Sequence, residues 1–258
     1  MEFTDTQIAT FIQQYFLPSV RIGVMLMVMP VIGARIVSPR VRLALTFLVT
    51  LVVVPMLPPL PIVPALSLTA LLFVVQEVLL GAAIGFSFQV FFQMFVLSGQ
   101  FMAMKLGLGF ASMNDPANGV QTTVLSQFFL TLVTVMFVSI DGHLVLLALM
   151  VESFQSLPPG SFNFTPDKMM TIVQLSTWLF SASLLMALPV LTALLLINLS
   201  FGVMSRAAPQ LNIFSVGFPF TLVCGMALIW IGLSNFAPVF QDTMDYAFSF
   251  VKDILELQ

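Results

Sequence analysis

Apolar positions along this chain fall into long runs separated by short polar punctuation. Thr4-Asp5-Thr6-Gln7 opens as a capping box, and Ile8, Phe11, Ile12, Tyr15 and Phe16 then share one helical face opposite Gln7, Thr10 and Gln14. This pattern predicts an amphipathic helix over 4–17, too polar to span a membrane alone. Six apolar runs follow, at 20–34, 43–57, 68–99, 122–151, 172–203 and 212–237. Most reach the roughly 20 residues that carry a helix across a hydrocarbon core; the second is short. None alternates with the two-residue period of a membrane barrel strand, so helices are expected. The tail 239–258 is amphipathic again. Phe240, Met244, Ala247, Val251 and Ile254 form one stripe, and Asp242, Asp245, Asp253 and Glu256 lie off it. Pro30, Pro55, Pro189 and Pro219 interrupt or border the runs, and each removes a helical hydrogen bond. In lipid such breaks must be covered by protein or line a watery cavity, which favours bent hairpins over straight rods. The expected fold is therefore all-α: a membrane-associated bundle of long, proline-kinked helical hairpins with about six hydrophobic helices.

Composition strengthens the membrane reading. Of 258 residues, 59% are hydrophobic and 7% charged, against roughly 25% charged in a soluble domain, so no charged skin can be built. The net charge of −3 and the lack of a basic patch argue against a nucleic-acid partner. Cys224, the single cysteine, excludes an internal disulfide framework. Glu2 and Asp5, with no basic residue before Arg21, argue against a cleavable signal peptide. Counting loops alternately gives one side Arg35, Arg40, Arg42, Lys105 and Arg206 and the other only Lys168 and Lys252. That bias puts the N-terminus outside and the 35–42, 98–121 and 204–211 loops in the cytoplasm. Arg21, near a helix end, is expected to snorkel to an interface.

Two polar stripes run inside the apolar segments. Glu77, Gly81, Gly85, Gln89 and Gln93 recur every fourth residue, with Gln100 seven further on. They trace one ridge in which glycines admit another backbone and glutamines need partners or water, so the ridge faces protein or a channel. Thr123, Gln127, Thr131, Thr134 and Asp141 form the second stripe on a helical wheel, read as glue inside the bundle or as a water-lined path. Glu77 and the Asp141-Gly142-His143 cluster are costly in a membrane and suggest either proton-coupled transport or paired, buried packing. Alternatively, Gly142 marks a break where Asp141 and His143 reach an interface. No HExxH, GxSxG, Walker or GxGxxG motif is present, and one His with one Cys cannot make the usual metal cluster, so no enzyme, metal or cofactor is expected.

Between the third and fourth runs lies KLGLGFASMNDPANG, residues 105–119, a glycine-punctuated break. It carries Leu106, Leu108, Phe110 and Met113, which a solvated loop would avoid, and Met102 and Met104 lie just upstream. Such an apolar loop either blocks a pore by contact and dewetting or lies buried against a partner.

Three strings carry a resemblance: RIGVMLMVMPVIGARIVSPRVRLAL at 21–45, DGHLVLLALMVESFQSLPPG at 141–160 and, most specifically, VMSRAAPQLNIFSVGFP at 203–219. Through them the chain resembles, over essentially its whole length, the FliR family of flagellar export-gate proteins and its relatives in virulence secretion systems. The resemblance implies a structural subunit of the type III export gate in the bacterial inner membrane, at the flagellar basal body. It implies assembly with FliP, FliQ and FlhB, with FlhA beside them, into a closed helical ring for unfolded flagellar proteins. It further implies a FliP-like part over 1–164 and a FliQ-like hairpin with an amphipathic tail over 165–258. The ridge Glu77, Gly81, Gly85, Gln89 and Gln93 becomes an interface between chains. The plug loop falls at about 105–119, through Leu106, Gly107, Leu108, Gly109, Phe110, Met113, Asp115 and Pro116. Arg206, Pro209, Gln210, Asn212 and Gly217 form a turn at the cytoplasmic mouth, facing FlhB. In such assemblies much of the bundle stands above the membrane plane, so hydropathy overstates the crossings. A different reading of the same residues is a proton- or ion-coupled small-solute transporter using Glu77, Asp141 and His143.

Overall fold

The computed structural model describes residues 5–34, 36–57, 64, 67–109, 123–159, 166–207 and 213–255. Among these the chain is helical and has no strand. The helices are α1 (Asp5–Val28), α2 (Pro39–Val53), α3 (Leu68–Lys105), α4 (Val124–Ser139), α5 (Gly142–Ser156), α6 (Pro166–Ala207), α7 (Ile213–Gly232) and α8 (Phe236–Ile254). Short 3₁₀ turns follow α2 at Val54–Met56 and link α7 to α8 at Leu233–Asn235. Four helical stretches among the described residues are long and apolar enough to cross a membrane, or five if α4 and α5, bent by 67°, make one broken span. The all-α membrane bundle stands.

The first two segments differ from the periodicity reading. The amphipathic 4–17 stretch and the start of the 20–34 run are one helix, α1, which continues through Pro18. A single proline deletes one intrahelical bond, and flanking packing holds the rest. Pro30 lies just past the end of α1, and Pro55 sits in the 3₁₀ turn that ends α2, whereas Pro189 and Pro219 stay inside α6 and α7. The 122–151 run is broken at Ile140–Asp141, where Asp141 adopts φ 56°. A Cβ on the next residue, Gly142, would lie 2.5 Å from the Phe137 ring, so glycine is needed to turn the chain there. The tail follows its pattern: Phe240, Met244, Ala247, Val251 and Ile254 are all buried, and Asp242, Asp245 and Asp253 are exposed. At 38 and 42 residues, α3 and α6 run about 57 and 63 Å, twice a ~30 Å hydrocarbon core, so neither lies wholly in lipid.

The chain divides into two compact units. One comprises Met1–Val90, Phe137–Leu175 and Tyr246–Gln258; the other comprises Phe91–Met136 and Ser176–Asp245. In the first, Phe88 packs on Phe137 and edge-on to Phe248, centroids 6.3 and 5.1 Å apart. In the second, Phe91 and Phe95 of α3 meet Phe240 and Phe236 of α8 at 5.7 and 5.4 Å, and Phe129 of α4 stacks on Phe236. Small polar residues let helices close in here. Ser98 donates to the Ser183 carbonyl and Ser183 to the Met94 carbonyl, both at 3.1 Å, tying α3 to α6.

Candidate functional site

Arg21 does not snorkel. Its side chain is fully buried, and it is the largest polar group in the first unit's core. Its Nε donates to Glu77 Oε2 at 2.7 Å and its Nη2 to Glu77 Oε1 at 2.8 Å, a bidentate pair. Nη1 donates to the Ser153 carbonyl (2.9 Å) and hydroxyl (3.1 Å), and Nη2 also donates to the Leu157 carbonyl (2.8 Å). The guanidinium lies 4.2 Å from the Phe154 ring centroid. All the guanidinium's N–H capacity is therefore engaged. The cause is local as well as tertiary: α5 ends at Ser156, and there Arg21 donates to the Leu157 carbonyl just past the helix and adds a second donor to the Ser153 carbonyl, which already accepts from the Leu157 N–H at 3.0 Å. One side chain thus joins α1, α3 and the end of α5. Neither residue type was silent in the sequence, since Glu77 is the only carboxylate in the third apolar run and needs a counter-charge. Arg21 and Glu77 lie 56 positions apart, however, and no spacing rule links them.

The Glu77 ridge is corrected accordingly. A Cβ on Gly81 would lie 2.4 Å from the Arg21 carbonyl oxygen, and one on Gly85 would lie 2.9 Å from Val28 Cβ. The backbone that these glycines admit is the chain's own α1. Glu77, Gly81 and Gly85 are buried within the chain and present no surface to another subunit; Gln89 is half-buried and Gln93 exposed. Gln100 accepts from Ser126 at 3.2 Å, and a Cβ on Gly99 would meet Ser126 Cα at 2.9 Å, so α3 and α4 touch at a small-residue contact.

The second stripe is not one helical face. Thr123 precedes α4, is buried, and pairs with the Ser126 hydroxyl at 3.0 Å. Thr131 and Thr134 donate back to the Gln127 and Leu130 carbonyls, and Gln127 and Thr131 are exposed. Asp141 lies beyond α4, exposed at the bend, which is the break that Gly142 suggested. From there to Ser153, where Arg21 and Glu77 sit, α5 rises about 18 Å. Glu77, Asp141 and half-buried His143 therefore form no single relay. No group of metal-ligating residues occurs among the described residues.

Of the 105–119 segment, which the resemblance reads as a plug loop, the described part is its stem, 105–109. Lys105 is exposed, but Leu106 is 1% exposed. A Cβ on Gly225 of α7 would lie 2.0 Å from Leu106 Cδ2 and 3.4 Å from Leu194, so Gly225 makes the notch that Leu106 fills. Gly107 adopts φ 78°, and a Cβ there would meet the Phe218 ring at 2.7 Å. Leu108 and Gly109 are half-buried. Phe110, Met113, Asp115 and Pro116 lie outside the described residues, as do Pro209, Gln210 and Asn212 of the turn expected at the mouth. Of that turn, Arg206 is exposed in the last turn of α6 and Gly217 is half-buried on α7. A cavity of about 400 Å³ is bounded by Lys105, Leu106 and Gly217, so Gly217 is a neighbour of Leu106. Gly107→Ala should loosen this stem by about 1–2 kcal/mol through left-handed strain, with the Phe218 contact adding to it. A cysteine replacing Leu106, with Cys224→Ser, should then be alkylated faster in the Gly107→Ala background. An unchanged rate would refute the anchoring.

Residues 12–247 match the family model described as "Bacterial export proteins, family 1". The chain is 32% identical to flagellar biosynthetic protein FliR of Escherichia coli K12 over 255 residues, 99% of this chain and 97% of the relative. Identity to the FliR protein of Pectobacterium carotovorum is also 32% over 255 residues, 99% and 97% of the two chains. With that of Bacillus subtilis it is 24% over 248 residues, 94% and 95% of the two chains.

Proposed function

The chain belongs to the bacterial export proteins, family 1, and on that premise we propose that it is a structural, non-enzymatic pore subunit of the flagellar type III export apparatus. It is a membrane protein by its apolar helices, and this reading places it in the bacterial inner membrane at the flagellar basal body. There it assembles with FliP and FliQ, next to FlhB and FlhA, around the path of unfolded flagellar proteins. Residues 1–164 act as the FliP-like part and 165–258 as the FliQ-like hairpin. The observation that carries the reading is the near end-to-end match to flagellar relatives. The anchored stem supports it: Leu106 and Gly107 hold one end of the plug loop against α7, so that Phe110 and Met113 serve as the plug. The turn Arg206, Pro209, Gln210, Asn212 and Gly217 lies at the mouth and meets FlhB. Gln89, Gln93, Gln127 and Thr131, not wholly enclosed by their own chain, contribute to contacts with neighbouring subunits.

A tagged chain drawn from native membranes should bring FliP and FliQ with it; recovery as a stable, solitary chain would refute the assembly. In the purified complex, Phe110→Gly or shortening of 107–116 should raise ion conductance about tenfold or more, because an apolar constriction is lost. Unchanged conductance would remove the plug assignment while leaving the assembly intact.

A further inference from the structure

The cavity beside the plug stem has a character that the pore reading does not use. On α6, Asn198, Phe201, Gly202 and Ser205 follow at i, i+3, i+4 and i+7 and so present one face to it, and α7 answers with Gly217, Phe218 and Thr221. Leu106 and Thr221 are buried and form its floor; Asn198, Gly202, Ser205, Phe218 and Lys105 are exposed around its mouth. A Cβ on Gly202 would meet nothing within 4 Å, so that wall is open. Leu106 and Phe201 make the interior apolar, with Thr221 on the floor, and Phe218 joins Asn198, Ser205 and Lys105 at the rim.

Among the described residues the charge at this rim is all of one sign. Lys105 lines the cavity, and Arg206 follows Ser205 and stands one helical turn from Gly202. Among the described residues of this unit they are the only cations, and neither has an ion-pair partner. The unit's only described carboxylates, Asp242 and Asp245, are on α8, which contributes nothing to the lining. Each cation sits in the last turn of its helix, where the macrodipole favours positive charge, yet both remain exposed. An apolar wall, a hydroxyl and amide rim and two cations unpaired among the described residues match a ligand with a hydrocarbon tail and an anionic head. The loop-charge bias sets this end of the chain on the cytoplasmic side, where anionic lipid is available. We propose that this cavity is a binding site for an anionic phospholipid. The acyl chain lies between Phe201 and Phe218, and the phosphate is held by Lys105 and Arg206. The site adjoins the Leu106–Gly107 stem, so an occupying lipid would brace the stem.

The test uses the assembled complex, delipidated in detergent and titrated with phosphatidylglycerol or with phosphatidylcholine of identical chains. Bound lipid is counted by native mass spectrometry. Phosphatidylglycerol should be retained about tenfold more tightly. Lys105→Gln with Arg206→Gln should remove that preference, and Gly202→Trp should weaken both lipids. Phosphatidylglycerol carrying a photoreactive group in its acyl chain should label the Asn198–Ser205 or Gly217–Thr221 peptides of the unmodified complex, a result that needs no variant to fold. Equal retention of the two lipids, or a preference that survives loss of both cations, overturns the proposal. So does full competition by glycerol phosphate alone, which would mean a bare anion site. Capture of a neighbouring protein instead of lipid by a photoreactive residue at position 202 would also overturn it.

Discussion

Arg21→Ala is expected to remove the folded chain from membranes almost completely. The substitution leaves the Glu77 carboxylate buried without its partner and takes the Arg21 donors from the Ser153 and Leu157 carbonyls at the end of α5. Breaking a buried ion pair from one side typically costs about 3–5 kcal/mol, a large part of the stability of most domains. Arg21→Lys should fall in between, since an ammonium with three N–H groups cannot hold both carboxylate oxygens and both carbonyls. Arg21→Met combined with Glu77→Leu should be milder than Arg21→Ala, because no lone charge remains. Thermal unfolding in detergent and the yield of folded chain would measure the series. If the double variant is as damaged as Arg21→Ala, the pair is not what holds α1, α3 and α5 together.

Gly81→Ala carries the second large effect. Its Cβ would lie 2.4 Å from the Arg21 carbonyl oxygen and 3.2 Å from the Arg21 carbonyl carbon. These are backbone atoms and cannot swing aside, so α1 itself must move, and with it the guanidinium. Overpacking of this kind costs about 1–3 kcal/mol, and coupling to the ion pair one turn away should place it at the upper end. Gly202→Ala, with open space around it, should be neutral or stabilising by up to about 1 kcal/mol through helix propensity. Equal unfolding temperatures for the two variants would contradict the tight α1–α3 approach. A leucine at position 81 or 85 would fail for the same intrachain reason. Loss of FliP and FliQ from a purification of such a variant would therefore report a misfolded subunit, not a damaged interface.

The α8 stripe was legible because all its members sit on one element at helical spacing, and periodicity reads burial within an element. The ridge from Glu77 to Gln93 was legible only as far as its need for protein contact. Glycines reveal that a backbone approaches, not which one, and the approaching chain proved to be α1. Arg21 was misread because its position near a helix end has a common surface explanation, and burial is not written in its neighbours. The Thr123–Asp141 wheel failed at both ends: Thr123 precedes α4, and the left-handed φ of Asp141 ended the helix where hydropathy ran on unbroken. Leu106 was visible as an apolar residue in a loop. Its seat over Gly225 was not, because more than a hundred residues separate the two in the sequence.

The sequence by itself determined that this is an all-helical membrane chain, that its last helix is amphipathic, and that the chain breaks at Gly142. Each of these follows from local hydropathy, helical spacing or backbone chemistry. Only the tertiary structure decided which charge meets Glu77, which backbone fills the glycine ridge and what holds the stem at Leu106. Those choices rest on contacts between distant segments, and a buried charge or a missing Cβ states that a partner is needed without naming it.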